Sequence, residues 1–510
     1  MRGVSGAYRH ILANSCLVGG VRTTYMELLN RAILAARGTD LGLHVANMPS
    51  LTLLYLMSFL TTRGYSTKIV NFFNREHDNL ATLLEEDPLV VAITTTYYAE
   101  PSPVSEIVQF VRRHNSDAVI VAGGPYIYEI CSCNDVPARD HLLARIGADF
   151  YVVENQGELT LSRVLNELRK GSLGHLETVP NLVYAGGDGG YVTTRRELED
   201  NDLDKDDVNW RALDPVLYTP VVSVRTSRGC AFRCSFCRTP RLTGRLALAS
   251  VDTVMHGLQA LVEAGVKSVI LIDDTANVPL PRFKEICRRI KSKRWDLVWS
   301  AYFRCSDADS ETYDLMAESR CQSVCLGIES GSPEMLKRMN KKACLDKYRD
   351  GIRRLKERGI VTLTGIVVGF PGETQETVDE TIRFIQDTSP AYYYPQLFFY
   401  DPLSPLHERA GEFSLKGQGY SWTHASMDWR EASDAVEKMY RSVESSYVLP
   451  VHSFGFSGLP YVLSKGIGAE ELWRFAGIAQ ELIIDGLSSG ADSSDRYEAR
   501  LRDVFRPATA

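Results

Sequence analysis

The sequence predicts an α/β protein with two α/β domains and a mostly helical C-terminal region, 403–510. Apolar runs of strand length alternate with amphipathic helical patterns over 1–185 and again over 220–402. Such alternation is typical of parallel sheets covered by helices. A glycine-rich and then acidic stretch, 186–219, separates the two series and is expected to be a solvated linker, or a β-hairpin with a tail.

The first domain, 1–185, is predicted to be doubly wound and Rossmann-like, with helices on both faces of its sheet. The run 89–95 is apolar throughout, as expected for a strand buried on both faces. Strands are expected at 10–17, 66–72, 89–95, 118–121 and 149–153. Helices are expected at 51–63, 105–114 and 158–169.

The second domain, 220–402, contains six strand–helix units in succession, which indicate an open, partial (β/α)6 barrel. In barrels of this kind the functional side chains lie at the carboxyl ends of the strands. Strands are expected at 221–225, 268–272, 298–303, 323–328, 361–368 and 393–400. Helices are expected at 251–264, 282–292, 309–318, 345–358 and 375–387.

Composition and charge exclude several classes of protein. With 44% hydrophobic and 24% charged residues the chain has an ordinary globular composition. Its net charge of −7 argues against an extended nucleic-acid-binding face, so no nucleic-acid partner is expected. The longest apolar run, 51–60, is too short and too polar to span a membrane, and the N-terminus lacks a signal-peptide core. We therefore expect a cytoplasmic protein.

Three of the eleven cysteines are clustered. Cys230, Cys234 and Cys237 have the spacing C-x3-C-x2-C and follow the first barrel strand directly. Thiolates this close on a loop indicate a site for a soft metal. A closed zinc site needs four ligands, and a bacterial ferredoxin motif has four cysteines at other spacings. Three cysteines suit a [4Fe–4S] cluster with one iron left open.

This motif resembles that of the radical S-adenosylmethionine (SAM) enzymes, C-x3-C-x-aromatic-C, in which Phe236 supplies the aromatic residue. The resemblance implies that the open iron binds the amino and carboxylate groups of SAM. It also implies that an electron from the cluster cleaves SAM to a 5′-deoxyadenosyl radical. An electron donor of the flavodoxin or ferredoxin type is therefore an expected partner.

Acidic and basic residues at the next strand ends resemble the SAM-binding positions of the family. Asp273 and Asp274 follow the second strand, where the family binds the methionyl ammonium, and a carboxylate accepts N–H bonds from such a group. A helix cap is an equally good interpretation of Asp274. Arg304 follows the third strand and is a candidate partner of the SAM carboxylate, or a member of a structural ion pair.

The fourth and fifth strands resemble the ribose and adenine segments of the family. Glu329 and Ser330, in the sequence Leu-Gly-Ile-Glu-Ser-Gly, are expected to bind the ribose hydroxyls. Gly365 and Val367 lie on the fifth strand, which the family places near adenine; a Gly-Phe-Pro-Gly turn follows it.

Over 40–185 the first domain resembles the cobalamin-binding domain of the cobalamin-dependent radical SAM enzymes. Glycines there allow the backbone to approach a bulky ligand. The sequence Asp-x-His-x-x-Gly is absent, so we expect no histidine ligand below cobalt. A nucleotide-type domain with another role is the alternative. The expected cobalamin-binding residues are Thr94, Thr95, Thr96, Tyr97, Gly123, Gly124, Pro125, Glu154, Gly157 and Glu158.

Together these resemblances imply a cobalamin-dependent radical SAM methyltransferase of class B. Segments 273–279 and 421–432 further resemble the phosphinothricin-tripeptide P-methyltransferase branch. The expected acceptor is an unactivated carbon or a phosphinate phosphorus of a small-molecule or peptide natural-product intermediate. One alternative is an RNA methylthiotransferase, whose second cluster could draw on Cys16, Cys131 and Cys133. Two others are a cobalamin radical SAM enzyme that rearranges its substrate without methylating it, and a non-catalytic binding protein.

Overall fold

The computed structural model describes residues 5–132, 135–171, 173–187, 189–450, 454–489 and 492–506. The chain divides into two compact units, one formed by Met1–Met48 with Pro215–Ala510 and one by Pro49–Asp214. This division differs from the predicted domain boundaries at both ends of the smaller unit. Residues 1–48 belong to the unit that contains the barrel, and 186–214 belong to the smaller unit.

The N-terminal segment packs against the C-terminal helical region, which explains its place in the larger unit. Tyr440 Oη donates a hydrogen bond to Ala13 O at 2.9 Å, and Arg9 lies 2.6 Å from a carboxylate oxygen of Asp434. The strand predicted over 10–17 is wrong for most of its length, because residues 10–13 are helical. The elements are α1 (Gly6–Ala13), β1 (Cys16–Val18), β2 (Val21–Thr23) and α2 (Tyr25–Arg37).

The smaller unit is a five-stranded mixed sheet with the order β3-β4-β5-β6-β7, in which the first three strands are parallel and the last two antiparallel. The strand predicted over 66–72 is wrong, since that segment forms no strand. The elements are α3 (Leu51–Thr61), α4 (His77–Glu85), β3 (Val90–Thr94), α5 (Pro101–His114), β4 (Val119–Gly123), α6 (Pro125–Cys131), α7 (Val136–Ile146), β5 (Phe150–Val152), α8 (Glu158–Arg169), β6 (Leu182–Ala185) and β7 (Tyr191–Thr193).

Helices cover both faces of this sheet, which confirms the doubly wound prediction. On one face α3 and α8 pack against Val121 and Val152. On the other face α4, α5, α6 and α7 pack against Ile93, Ile120 and Tyr151. The parallel strands therefore direct their carboxyl ends to one edge, which is where such sheets bind ligands.

The stretch predicted to be a solvated linker is packed instead. Its first part forms the β6–β7 hairpin, as one of the two predicted alternatives has it. Beyond the hairpin Glu199 is 2% exposed and accepts hydrogen bonds from the backbone N–H groups of Leu159 (2.9 Å) and Thr160 (2.7 Å). The N–H groups in the first turn of a helix have no acceptor within the helix itself. Glu199 supplies one for α8, so the acidic stretch caps this helix.

The larger unit contains a parallel sheet with the order β8-β11-β12-β13-β14-β15, which a short seventh strand from the C-terminal region extends. All six predicted strands and all five predicted helices are confirmed within a few residues. The elements are β8 (Val221–Val224), β9 (Ser227–Arg228), α9 (Thr239–Thr243), β10 (Ala247–Leu248), α10 (Val251–Glu263), β11 (Ser268–Leu271), α11 (Leu280–Lys293), β12 (Val298–Phe303), α12 (Ser310–Glu318), β13 (Cys321–Glu329), α13 (Pro333–Arg338), α14 (Leu345–Glu357), β14 (Val361–Val368), α15 (Gln375–Thr388) and β15 (Tyr392–Leu397).

The C-terminal region is mostly helical, as predicted, but it also carries a three-stranded antiparallel sheet and the seventh barrel strand, β19. Among the helices of the described residues, none is both long and apolar enough to cross a membrane. The elements are β16 (Lys416–Gln418), β17 (Ser421–His424), β18 (Met427–Asp428), α16 (Trp429–Ser442), β19 (Tyr447–Val448), α17 (Gly455–Ser464), α18 (Ala469–Ser489) and α19 (Asp495–Val504).

Candidate functional site

The three clustered cysteines lie on one loop at the carboxyl end of β8. Antiparallel pairing of β9 with β10 closes the base of this loop. Gly229, just before the first cysteine, has φ +84°, and a Cβ there would lie 3.1 Å from Arg245 O. Only glycine fits this conformation without strain. The Cys234 side chain is buried, whereas Cys230 and Cys237 are partly exposed.

The three thiols lie close enough to interact electrostatically, Cys237 with Cys234 and Cys230 with Cys237, as ligands of one cluster must. Burial raises the pKa of Cys234 and Cys237, and Lys341 partly offsets this effect at Cys234. Nowhere in the described part of the chain do three His, Cys, Asp or Glu side chains converge on a position for a single metal ion. A cluster does not require such convergence, because each of its thiolates binds a different iron.

Asp273 holds the start of the cysteine loop. Its carboxylate is 1% exposed and accepts hydrogen bonds from the backbone N–H groups of Thr226 and Ser227, both at 2.7 Å, and from the Thr226 hydroxyl at 2.6 Å. These three bonds leave it little capacity for a ligand. In this structure Asp273 therefore positions the cysteine loop, and its contact with SAM stays a prediction.

Asp274 is the carboxylate of this pair that faces the site. Its side chain is exposed, and the hydroxyl of Thr239, two residues after Cys237, lies 3.4 Å from Oδ1. The surrounding protein raises the pKa of Asp274 by desolvation, and the nearby positive charge of Arg225 opposes this shift. Next to it, Thr275 Oγ1 lies 3.7 Å from Cys230 Sγ. Asp274 also accepts a hydrogen bond from the backbone N–H of Gly229, so the second strand places an exposed carboxylate against the cysteine loop.

Glu329 forms a largely buried ion pair that the sequence did not indicate. Lys341 Nζ lies 2.8 Å from Glu329 Oε1 and 5.9 Å from the centre of the Phe236 ring. Glu329 has φ +69°, and a β-bulge interrupts the register of β13 and β14 beside it. A Cβ on Gly327 would lie 2.6 Å from Glu329 Oε1. The strand is thus distorted at the position where Glu329 turns its carboxylate toward Lys341.

Two predicted SAM-binding residues are engaged elsewhere. Ser330 is fully buried, and its hydroxyl pairs with Thr381 Oγ1 at 3.2 Å and accepts from Ser332 N at 3.1 Å. Arg304 is buried, forms an ion pair with Asp307 and donates to the backbone oxygens of residues 341 and 342. Ser330 thus holds a turn, and Arg304 has the structural ion pair that was its alternative, while SAM binding by either residue stays a prediction.

An aromatic and glycine surface continues from the cysteine loop to β14. The Phe236 ring packs edge-on against Phe370, at 6.4 Å between ring centres. Gly365 faces Tyr394, and a Cβ at this position would lie 2.5 Å from its hydroxyl. Val367 is half-buried near the end of the same strand. The structure thus gives Gly365 a packing role and leaves Val367 available at the strand end.

Two side chains that the sequence did not single out hold the turn after β14. Gly369 N donates to a carboxylate oxygen of Glu373, and Gly369 O lies 3.1 Å from His424 Nε2. Glu373 is 2% exposed, and burial raises its pKa to about 8. His424 belongs to the C-terminal antiparallel sheet, which explains why no local sequence pattern links it to this turn.

In the smaller unit the predicted cobalamin-binding residues fall into two groups. The first group lies at the carboxyl ends of β3 and β4. Gly124 has φ +105°, and a Cβ there would lie 3.0 Å from both N and Oγ1 of Thr95, which is itself buried and donates to Gly123 O at 2.8 Å. Thr94 and Thr96 pair through their hydroxyls at 2.9 Å. Tyr97 is 82% exposed, and Pro125 begins α6.

This first group places hydroxyls and one exposed aromatic ring at the sheet edge, while its two glycines allow close internal packing, since a Cβ would meet Val152 at Gly123 and Thr95 at Gly124. The second group is mostly engaged internally. Glu154 is 5% exposed and accepts from Asn155 N at 3.0 Å, and Glu158 is 8% exposed and accepts from Asn201 at 2.9 Å. Gly157 supplies the left-handed residue before α8. Cobalamin binding by Glu154 and Glu158 stays a prediction, and in this structure both carboxylates have internal partners.

Comparison with known proteins connects this geometry to a family. The family model of the radical SAM superfamily matches residues 224–385. Residues 224–385 are a radical SAM domain. This radical SAM domain begins at the end of β8, so it includes the three cysteines, the Glu329–Lys341 pair and β14, and it implies a [4Fe–4S] cluster and SAM as cofactors.

Relatives of the radical SAM domain also match the smaller unit. An uncharacterized methyltransferase of Pyrococcus horikoshii is 28% identical over 441 residues, 82% of this chain and 90% of that protein. The anaerobic magnesium-protoporphyrin IX monomethyl ester cyclase of Rubrivivax gelatinosus is 25% identical over 386 residues, 72% of this chain and 67% of that protein.

A solved structure shares the fold across both units. The radical SAM methyltransferase TsrM from Kitasatospora setae, with cobalamin and a [4Fe–4S] cluster bound, superposes with a TM-score of 0.63 at 18% identity, covering 87% of this chain and 97% of that one. This likeness confirms the predicted fold class, a Rossmann-like domain joined to a partial barrel.

Proposed function

We propose that this protein is a cobalamin-dependent radical SAM methyltransferase. The observation that carries the proposal is the placement of three thiols, an exposed carboxylate and a largely buried Glu–Lys pair at the carboxyl ends of strands of one parallel sheet. A relative described as a methyltransferase aligns with 82% of this chain. When bound, the cluster and SAM supply a carbon-centred radical by one-electron cleavage, and cobalamin supplies a methyl group.

The side chains of the larger unit hold the cluster and SAM in this proposal. Cys230, Cys234 and Cys237 bind three irons as thiolates, and the bonds of Asp273 to the first turn of their loop keep it in place. Asp274 is exposed beside the loop and accepts N–H bonds from the methionyl ammonium. Glu329, whose carboxylate forms an ion pair with Lys341, accepts hydrogen bonds from the ribose hydroxyls.

The smaller unit binds cobalamin in this proposal through the residues at the ends of β3 and β4. The hydroxyls of Thr94 and Thr96 would offer hydrogen bonds to the amide side chains of the corrin, the exposed ring of Tyr97 would offer an aromatic contact, and Gly123-Gly124 would keep this loop close to the sheet. The acceptor is a small-molecule or peptide intermediate, at a carbon or at a phosphinate phosphorus. The P-methyltransferase branch stays a prediction.

A cobalamin radical SAM enzyme that does not methylate its substrate is the second candidate, because the cyclase of Rubrivivax gelatinosus matches 72% of this chain. The methylthiotransferase alternative stays a prediction. Two of its candidate thiols, Cys16 and Cys131, belong to different units, and the third, Cys133, lies outside the described residues.

The products of SAM separate the two candidates. The protein is reconstituted anaerobically with iron and sulfide, loaded with hydroxocobalamin, and incubated with a reductant and SAM. We expect bound cobalamin, 5′-deoxyadenosine, and S-adenosylhomocysteine from methylation of reduced cobalamin. Formation of 5′-deoxyadenosine without S-adenosylhomocysteine would favour the non-methylating candidate. Absence of both products from protein with an intact cluster would refute both.

A further inference from the structure

A band of positive charge follows the cysteine loop. The segment 225–245 contains six arginines and no acidic residue, in a chain whose net charge is −7. The proposed function does not use most of these arginines. They are Arg225, Arg228, Arg233, Arg238, Arg241 and Arg245.

Three of these arginines, Arg233, Arg241 and Arg245, are exposed, and they lie around the cysteines. Arg233 immediately precedes Cys234. Gly229 directly precedes Cys230, and a Cβ on Gly229 would lie 3.1 Å from the backbone oxygen of Arg245. The backbone therefore holds Arg233 and Arg245 close to the cysteine loop.

A second segment adds two exposed cations, Arg338 and Lys342. It is joined to the cysteine loop by hydrogen bonds: Asn340 Nδ2 donates to Arg233 O at 2.6 Å, and Ser235 Oγ donates to Arg338 O at 3.2 Å. The two segments thus form one surface. We name Arg233, Arg241, Arg245, Arg338 and Lys342 the cluster-loop basic patch.

Acidic residues neutralise only part of this patch. Arg241 forms an ion pair with Glu408, and Arg338 forms one with Glu334 at 2.6 Å. Both pairs are exposed and contribute little to stability, so a charged partner can readily rearrange them. Arg233, Arg245 and Lys342 form no ion pair with any residue that the structure describes. The patch therefore presents a net positive field on a protein that is otherwise acidic.

We propose that the cluster-loop basic patch is the docking surface for an acidic protein that donates single electrons to the cluster. The inference rests on the proposed function, since SAM cleavage requires a reduced cluster. In the step that docking serves, the donor loses one electron and the cluster gains it, with no atom transferred. The rate of such a step falls steeply with distance, and a partner on this patch lies next to the partly exposed Cys230 and Cys237.

The placement of the charges favours an acidic redox protein over a nucleic acid. A phosphate backbone requires a basic stripe that extends along several phosphates. This patch instead surrounds one loop, and that loop carries the thiols at which an electron has to enter. An acidic donor is steered to such a site by complementary charge, which raises association rates by about 10- to 1,000-fold at low ionic strength.

The test uses the full chain with its cluster and a reduced flavodoxin of low isoelectric point as the probe. In stopped-flow at low ionic strength, R233E/R245E is expected to lower the second-order rate constant of cluster reduction by about tenfold or more. Reduction of the same variant by reduced methyl viologen, a small cation, should not slow. The wild-type rate with flavodoxin should fall as salt is added, and that of the variant should fall less.

A control variant with the same change in net charge is K356E/R383E. Both of its positions are exposed, lie on α14 and α15, and have no ion pair within the described residues. It should be reduced at the wild-type rate. Equal flavodoxin rates for R233E/R245E and the wild type, or an equal loss in K356E/R383E, would overturn the proposal.

Binding separates this proposal from the proposed function. The Kd of oxidised flavodoxin for the wild type and R233E/R245E is measured without SAM or cobalamin, so a failure of methyl transfer leaves this result unaffected. Weaker binding of the variant supports docking at the patch. The opposite result is a wild type that binds an RNA oligonucleotide and not flavodoxin, with the RNA binding abolished in R233E/R245E. That result would assign the patch to nucleic acid and overturn the proposal.

Discussion

The two adjacent carboxylates after β11 have different roles, and substitutions separate them. Asp273 accepts three hydrogen bonds from buried donors of the cysteine loop. Asp273→Ala leaves these donors unpaired at about 1–3 kcal/mol each, or roughly 3–9 kcal/mol together. Since a domain is stable by about 5–15 kcal/mol, this variant is expected to be largely unfolded or to lack a cluster.

Asp273→Asn is the informative variant because it keeps most of these contacts. Its amide oxygen still accepts from Thr226 N and Ser227 N, and its NH2 group donates to the Thr226 hydroxyl once that hydroxyl rotates. Only the assistance from the charge is lost, so we expect a decrease of about 1–3 kcal/mol in the free energy of unfolding. SAM affinity should change little, because Asp273 is buried beneath the loop.

Asp274→Asn is the matched control, with the same chemical change one residue away. Within the described residues Asp274 is exposed and accepts only from the Thr239 hydroxyl and the Gly229 backbone N–H, so the free energy of unfolding should fall by less than in Asp273→Asn, by about 0.5–1 kcal/mol. Its SAM affinity should fall, because the partner of the methionyl ammonium is lost. Urea denaturation and equilibrium dialysis of SAM measure the two quantities. If D273N lost SAM affinity at unchanged stability, the positioning role of Asp273 would be refuted.

Three further predictions follow from the described geometry. Gly124→Ala should destabilise the smaller unit by about 1–3 kcal/mol in thermal unfolding, because it combines a positive φ with a crowded Cβ, whereas Gly187→Ala, at an open position, should not; equal effects would contradict the reasoning. Burial raises the pKa of Glu373 from 4.5 to about 8, so the folded state binds a proton that the unfolded state has lost, and the free energy of unfolding should fall as pH rises between these values. Glu373→Gln should flatten this dependence of unfolding free energy on pH. An unchanged dependence would assign it to another group. Lys341→Met should lower the free energy of unfolding by about 3–5 kcal/mol, because it leaves the Glu329 charge without its partner, and K341M/E329Q should lower it by less. If the loss in the double variant equalled the sum of the losses in K341M and E329Q, the two residues would not be coupled.

The strands and helices of the barrel could be predicted from the sequence because each strand is a local apolar run between amphipathic helices with clear caps. Ser250, Asp309 and Thr374 each accept a backbone hydrogen bond at the start of the helix that the pattern placed there. The cysteine motif was readable for the same reason, since its three ligands lie within eight residues of one another in the chain.

What the sequence could not indicate depends on contacts between distant segments. Lys341 is twelve residues from Glu329, and only the bulge of β13 and the turn after α13 bring them together. Glu199 looked like part of a charged linker, yet it caps a helix forty residues earlier in the chain. Asp273 and Asp274 are chemically identical in sequence, and only the direction of each side chain decides which one anchors the loop.

Isotope transfer from SAM shows whether this chain couples a radical SAM site to cobalamin-dependent methyl transfer. Reconstituted, cobalamin-loaded protein is given reductant and SAM whose methyl group is deuterated. We predict CD3-labelled cobalamin together with 5′-deoxyadenosine, and loss of the 5′-deoxyadenosine in a variant with all three cluster cysteines replaced by alanine. Unlabelled cobalamin and no 5′-deoxyadenosine from wild-type protein with an intact cluster would contradict the account.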